Sequence, residues 1–308
     1  MKKIIPLFVF VLSLSTTYSQ QVSYEILSNE PPESPRFSLN TDLFQLDVPV
    51  LRIDSYSANV GVWGYYEPVK NKIGVDYLFR KSLFAFGGLG IENFPGNLET
   101  ELGGYYQLRD FTKVKKTKIT LKTEYKGTTY SRNVSGDHVY TRNETVTYIM
   151  VPSEQRKYTM LRGGAYFKRV GMTTDFIEDE GFAGPEVIAY SSAGIYAGIN
   201  FRTITSLFID AEGYGVNFNS IGKDVYLDLM ILPINTFQDT ETRESATETI
   251  KEAQSALPIG FRLGYKLFQT DKRAKTGKIF GVCGTAELSY KPYLGVCVGA
   301  GVGLTLVK

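Results

Sequence analysis

From residue 37 to the end of the chain, apolar positions alternate with polar or small ones at the two-residue period of a β-strand. The final stretch is the clearest. Leu294, Val296, Val298, Ala300, Val302, Leu304 and Leu306 make one apolar face, and Gly295, Cys297, Gly299, Gly301, Gly303 and Thr305 make a narrow, uncharged one. Ten segments carry the pattern plainly: 57–66, 72–80, 98–112, 158–170, 188–201, 205–216, 222–232, 257–268, 279–290 and 293–306. Two weaker ones, 37–46 and 84–91, bring the alternatives to ten or twelve strands. The reading is an all-β, antiparallel transmembrane β-barrel.

Alternation alone does not say which face is out. A soluble sandwich or lipocalin-like barrel buries its apolar face, whereas a membrane barrel turns it to lipid. Several segments are 9 to 12 residues long, enough for a tilted bilayer crossing. Their large apolar side chains have no second sheet to cover them. The polar faces then line the lumen, where Asp76, Glu99, Glu101, Arg162, Lys168, Asp210, Glu212, Asp228, Arg262, Lys266 and Glu287 are expected to form a charge network. Such a network is either a filling of paired ions or, less simply, a channel lining or a carboxylate pair for hydrolysis.

Single-chain bacterial barrels have an even number of strands and both ends in the periplasm. Counting back from the C-terminus places the two long connections, 113–157 and 233–256, on the extracellular side. The first reads as a projecting hairpin with ten Lys/Arg and four Asp/Glu, a net of +6. The second is acidic, with a net of −3 and a possible short helix over 247–257. Opposite signs suggest that the two pack together. On the hairpin, Lys115, Lys116, Lys118, Lys122 and Lys126 offer cationic contacts to a partner, and Tyr125, Tyr130 and Tyr140 offer aromatic ones.

The N-terminus changes the picture of where the chain goes. Lys2 and Lys3, an apolar core over 4–14 and Thr17-Tyr18-Ser19 read as a signal peptide over 1–19, followed by an N-terminal periplasmic segment over 20–36 and the barrel over 37–308. Without the leader, 32 basic and 32 acidic side chains remain, a balance that gives no reason to expect nucleic acid. Forty Tyr and Phe and thirty Gly suit strands, interfacial girdles and tight turns.

Candidate chemistry is sparse. His138 is the one histidine and falls at the hairpin tip, away from any barrel rim where a Ser- or carboxylate-partnered histidine would act. Cys283 and Cys297 face inward on neighbouring segments. With a turn at 291–293, Cys283 lies opposite Gly301 and Cys297 opposite Glu287, too far apart for a disulfide. No metal site, cofactor or catalytic residue is expected. Asn133 and Asn143 begin sequons that a bacterial chain has no use for.

The Lys-Lys start, the leader ending Tyr-Ser-Gln-Gln, the Tyr/Lys/Asn-rich loops and the Gly-alternating last strand resemble small outer-membrane β-barrels of Bacteroidota. The resemblance is one of texture and rests on no motif. It implies location in the cell outer membrane, contact with outer-membrane lipid, and a role as passive pore or accessory subunit. The expectation is a non-catalytic anchor whose extracellular loops dock an envelope protein or surface glycan. The alternatives are a small diffusion pore and an enzyme using the lumen carboxylates Asp210 or Glu212.

Overall fold

The computed structural model describes residues 22–29, 37–50, 56–69, 72–85, 96–132, 138–173, 187–239, 257–270 and 280–306. These form eleven strands: β1 (Tyr24–Ser28), β2 (Phe37–Pro49), β3 (Ser57–Val69), β4 (Ile73–Ala85), β5 (Leu98–Arg132), β6 (His138–Thr173), β7 (Val187–Ala211), β8 (Gly215–Asp239), β9 (Ile259–Gln269), β10 (Phe280–Lys291) and β11 (Gly295–Leu306). Strands β2 to β11 pair antiparallel, each with its sequence neighbours. β2 also pairs with β11, which closes a ten-stranded barrel, and β1 adds to β7 outside the ring. The signal-peptide range, the acidic stretch 240–256 with its expected helix, and the His138 side chain lie outside what is described.

Ten strands were one of the two expected numbers, but they are a different ten. The weak segment 37–46 is a full member of the ring, β2, and 188–201 and the part of 205–216 up to Ala211 belong to one 25-residue strand, β7. The gap left between them, 202–204, is continuous ladder, pairing Arg202 with Asp224 and Ile204 with Gly222. Joining those segments reverses the direction of every strand before them. The β5–β6 connection therefore lies at the end of the barrel where β2 begins and β11 finishes (the ribbon end). The β8–β9 connection lies at the opposite, far end. This corrects the placement of 113–157 and 233–256 on one side, and with it their expected packing together.

The strands sort their side chains as the alternation requires. Phe44, Phe79, Leu102, Leu161, Phe201, Leu227, Leu263, Leu288 and Val302, one from each ring strand except β3, all point outward and are exposed; Val62 does so on β3. On β8 this outward apolar stripe runs from Val225 to Ile231 and Ile234. About ten tilted residues make a band about 25 Å tall. Inside, aromatic rings fill the space that cross-strand glycines leave. Tyr105 lies over Gly74, Phe268 over Gly222 and Tyr226 over Gly264.

At the far end the barrel is capped by its own β10–β11 turn. Tyr293 takes a left-handed conformation (φ 66°), Gly295 follows at φ 70°, and Leu294 is buried against Val170, Tyr190 and Cys297. The Tyr190 hydroxyl donates to Asn235 Oδ1 at 2.6 Å. The turn takes three residues, Pro292 to Leu294, so Cys283 lies opposite Gly303 and Cys297 opposite Ser289, two residues from the register the sequence suggested. Both thiols are free and buried.

At the ribbon end β5 and β6 continue as a two-stranded ribbon well past their neighbours. β4 pairs only as far as Tyr106, whereas the β5–β6 ladder runs to Arg132 and His138. β7 and β8 also overrun the ring, to a turn at 212–214 with glycines at positive φ. β6 parts from β7 after Gln155, and β1 takes its place along Phe208 to Ala211. The outward face of β7 thus changes character along its length. Ile195 is 60% exposed, while Leu207 and Ile209, on the same face, are 0% exposed beneath Ile119 and Val151 of the ribbon. The ribbon therefore folds across the outside of the β7–β8 overhang, held by Asn219 Nδ2 donating to the Lys118 carbonyl at 3.2 Å.

Candidate functional site: a sealed lumen and a cationic ribbon

Among the described residues the lumen holds nine carboxylates and seven cations, arranged in three tiers. Towards the ribbon end, Arg202 makes a two-pronged contact with Asp224 (2.8 and 3.0 Å) and stands 3.7 Å from Glu67, with its guanidinium over the Tyr65 ring. In the middle, Arg262 binds Asp228 (2.9 and 2.8 Å) and reaches across to Glu101, while Arg162 bonds Asp76 at 3.0 Å. Towards the far end, Arg80 joins Asp42 (2.8 Å) to Glu99 (3.4 Å), Lys168 pairs with Asp47, and Lys291 spans Glu99 (3.2 Å) and Glu287 (3.4 Å). Ions this dry hold their charge because a partner of opposite sign is within reach, Lys266 standing apart with the Trp63 and Tyr226 rings as its neighbours.

Among the described residues the tiers fill much of the interior with side chains. Between Trp63, Tyr105, Arg202 and Tyr226 a cavity of about 20 Å³ remains, room for about one water. Lys266 lines it, with its ammonium 5.0 Å from the Trp63 ring.

Of the eleven charges expected in the lumen, nine are there: Asp76, Glu99, Glu101, Arg162, Lys168, Asp228, Arg262, Lys266 and Glu287. Asp210 and Glu212 are not. They sit exposed at the β7–β8 overhang, beyond the ring, which corrects their lumen assignment. Sequence reading missed Asp42, Asp47, Glu67, Arg80, Arg202, Asp224 and Lys291 as members. Asp42, Arg80 and Asp224 stand on the polar phase of a segment already read as a strand, so the alternation could have placed them, and Asp47 and Glu67 lie one residue beyond such segments. Arg202 was hidden by the gap between two segments and Lys291 by its place in a turn.

The ribbon does not gather its lysines on one face. Thr117 and Ile119 point to the β7–β8 overhang, so Lys116 and Lys118 share the opposite, outer face with Met150, and Lys118 lies 4.1 Å over the Tyr148 ring. Lys115 falls on the covering face. Register shifts after Thr120 and Tyr125 then turn Lys122 to that same face and leave Lys126 in a bulge. Lys122 is paired with Glu124; the hydrogen bond raises the lysine pKa and lowers that of the carboxyl, an exposed pair that adds little stability. Tyr125 is exposed, with its hydroxyl bonded to Thr128. Tyr130 and Tyr140 pair across the ribbon near its tip, and their side chains lie outside what is described.

No family model, curated protein or solved structure matches this chain.

Proposed function

We propose that this chain is a non-conducting, non-catalytic outer-membrane barrel that anchors a cationic platform for an envelope partner. One observation carries the membrane reading: an uninterrupted outward belt of large apolar side chains surrounds an interior of paired ions. A soluble barrel of this kind would put its charges in the dry core and its leucines in water, the reverse of what burial favours. The band height of about 25 Å suits hydrocarbon. The filled lumen speaks against a diffusion pore, since a hydrated solute needs far more than room for one water.

With both barrel ends on the periplasmic side, as in bacterial single-chain barrels, the ribbon and the β7–β8 overhang face the periplasm. The partner is then a periplasmic or membrane-associated envelope protein with an acidic surface, which a net charge of +6 on 113–157 would steer and hold. Extraction from membranes should require detergent, and reconstitution into planar bilayers should give no open steps. A tagged protein should leave mild detergent with a partner that Lys115→Glu, Lys116→Glu and Lys118→Glu together release. Recovery as a lone monomer, with or without those changes, overturns the docking role, and steady conductance overturns the sealed lumen.

A further inference from the structure

Where the ribbon folds over the barrel wall it leaves an outward-facing groove of about 390 Å³, between Lys118–Thr120 above and Phe218–Ile221, Leu267–Gln269 and Val282 below. This volume lies in the range that holds a small ligand. Its floor is not separate from the apolar belt. Leu267 and Val282 belong to the same outward rows as Leu263 and Val302, and Val282 is 69% exposed. A ligand seated here would have one end in the groove and the other free to run down the belt. Its polar rim is cationic. Lys118 lines the groove, with its ammonium resting over the Tyr148 ring on the ribbon's outer face, and Lys223, outward and exposed, is the cross-strand neighbour of Leu267. No carboxylate stands among the lining residues. Neither lysine has a carboxylate within ion-pair distance among the described residues.

From these features we infer that the groove is a binding site for one anionic phospholipid of the adjoining leaflet. Its phosphate is held by Lys223 and by Lys118, whose ammonium leaves the Tyr148 ring to reach it, and an acyl chain lies along Leu267 and Val282. The inference rests on the membrane reading of the belt. Lysine near a lipid surface draws anionic headgroups at about fivefold per residue, and the long stems let the ammonium rise to headgroup level while the methylenes stay on the wall. Asn219 and Gln269 supply neutral hydrogen-bonding groups at the same level.

Native mass spectrometry of the detergent-extracted full chain tests this, with phosphatidylglycerol and phosphatidylcholine added at equal concentration. Phosphatidylglycerol should be retained at least fivefold over phosphatidylcholine. Lys118→Gln with Lys223→Gln should lower that retention about 25-fold. Val282→Trp, which fills the groove without changing charge, should lower retention of both lipids. Equal retention by the native chain, or a preference that survives both variants, overturns the site. Insertion of the same preparation into vesicles separates the two readings. Insertion without lipid preference sinks the site alone, and failure to insert sinks the membrane reading and the site with it.

Discussion

Arg262 of β9 and Glu101 of β5, 161 positions apart in sequence, meet across the lumen, where the arginine also holds Asp228 of the neighbouring strand. Like Lys168–Asp47 and Lys291–Glu99, this contact ties walls of the ring together, because its partners lie on strands that are not adjacent. Replacing Arg262 with Ala leaves buried Glu101 and Asp228 with Arg162, 3.6 Å from each, as their remaining cation, a loss of about 3–5 kcal/mol. The one tryptophan, Trp63, is buried in the same lumen with its indole N–H on Asp42 at 3.0 Å, so its fluorescence reports the transition. Urea unfolding followed at Trp63 should show that loss. Arg262→Met combined with Glu101→Leu should cost less than the two single changes together. A loss below about 1 kcal/mol for Arg262→Ala would mean the ions are better hydrated than a sealed lumen allows.

The glycine–aromatic pairs make a second prediction. A Cβ built on Gly264 stands 1.9 Å from Cζ of Tyr226, whose ring is held in place with its hydroxyl 3.2 Å from Glu287. Gly264→Ala should therefore destabilise the barrel by about 1–3 kcal/mol through overpacking. Tyr226→Ala alone should cost about 3–5 kcal/mol through the cavity it leaves. In the double variant the new methyl enters that space, so the combined loss should fall short of the sum. Additive losses in the urea midpoint would show that the two residues do not compete for one volume.

The ledge at the ribbon end should come loose without the barrel. Ile119 is buried with Val151, Leu207 and Ile209, all outside the ring's ion tiers. Ile119→Asn puts an amide into that contact and removes the main apolar reason for the ribbon to lie on the overhang. Trypsin should then cut between 113 and 126 in detergent at an increased rate, since Lys113, Lys115, Lys116, Lys118, Lys122 and Lys126 are exposed there. The Trp63 transition should move little. A barrel that unfolds together with the ribbon would make the two one cooperative unit.

Much of this architecture could be read from two-residue alternation, because a ribbon with unlike surroundings on its two sides writes that difference directly into the chain. Positions 295–306 sort inward and outward as their parity required, whereas Leu294, on the same apolar phase, is buried in the turn, and Asp228, Arg262 and Glu101 fell on the inner phase. What parity does not carry is where a strand ends. Arg202 to Ser206 is polar because the apolar belt stops there and the overhang begins, so a boundary of environment read as a boundary of structure. That one misreading moved the ribbon to the wrong end and Asp210 and Glu212 into the lumen. Register was equally out of reach. Tyr293 in a left-handed conformation moves the β10–β11 turn one residue along the chain, from 291–293 to 292–294, by a choice that no pattern of polarity records. The bulges after Thr120 and Tyr125, which scatter the ribbon lysines over both faces, are likewise invisible to composition.

The direction of the ribbon can be tested in cells. Lys126 is exposed in a bulge on the ribbon, and Leu257 is exposed just before β9 at the far end. The native thiols of Cys283 and Cys297 are buried, so an impermeant maleimide should find little background. If the ribbon faces the periplasm, Lys126→Cys should label only after the outer membrane is permeabilised. Leu257→Cys should label in intact cells. The inverse pattern would put the ribbon on the cell surface and replace the periplasmic partner with a surface one. Because both positions are read in one fold, labelling of neither in intact cells, with both labelled after permeabilisation, would place the whole barrel away from the outer membrane.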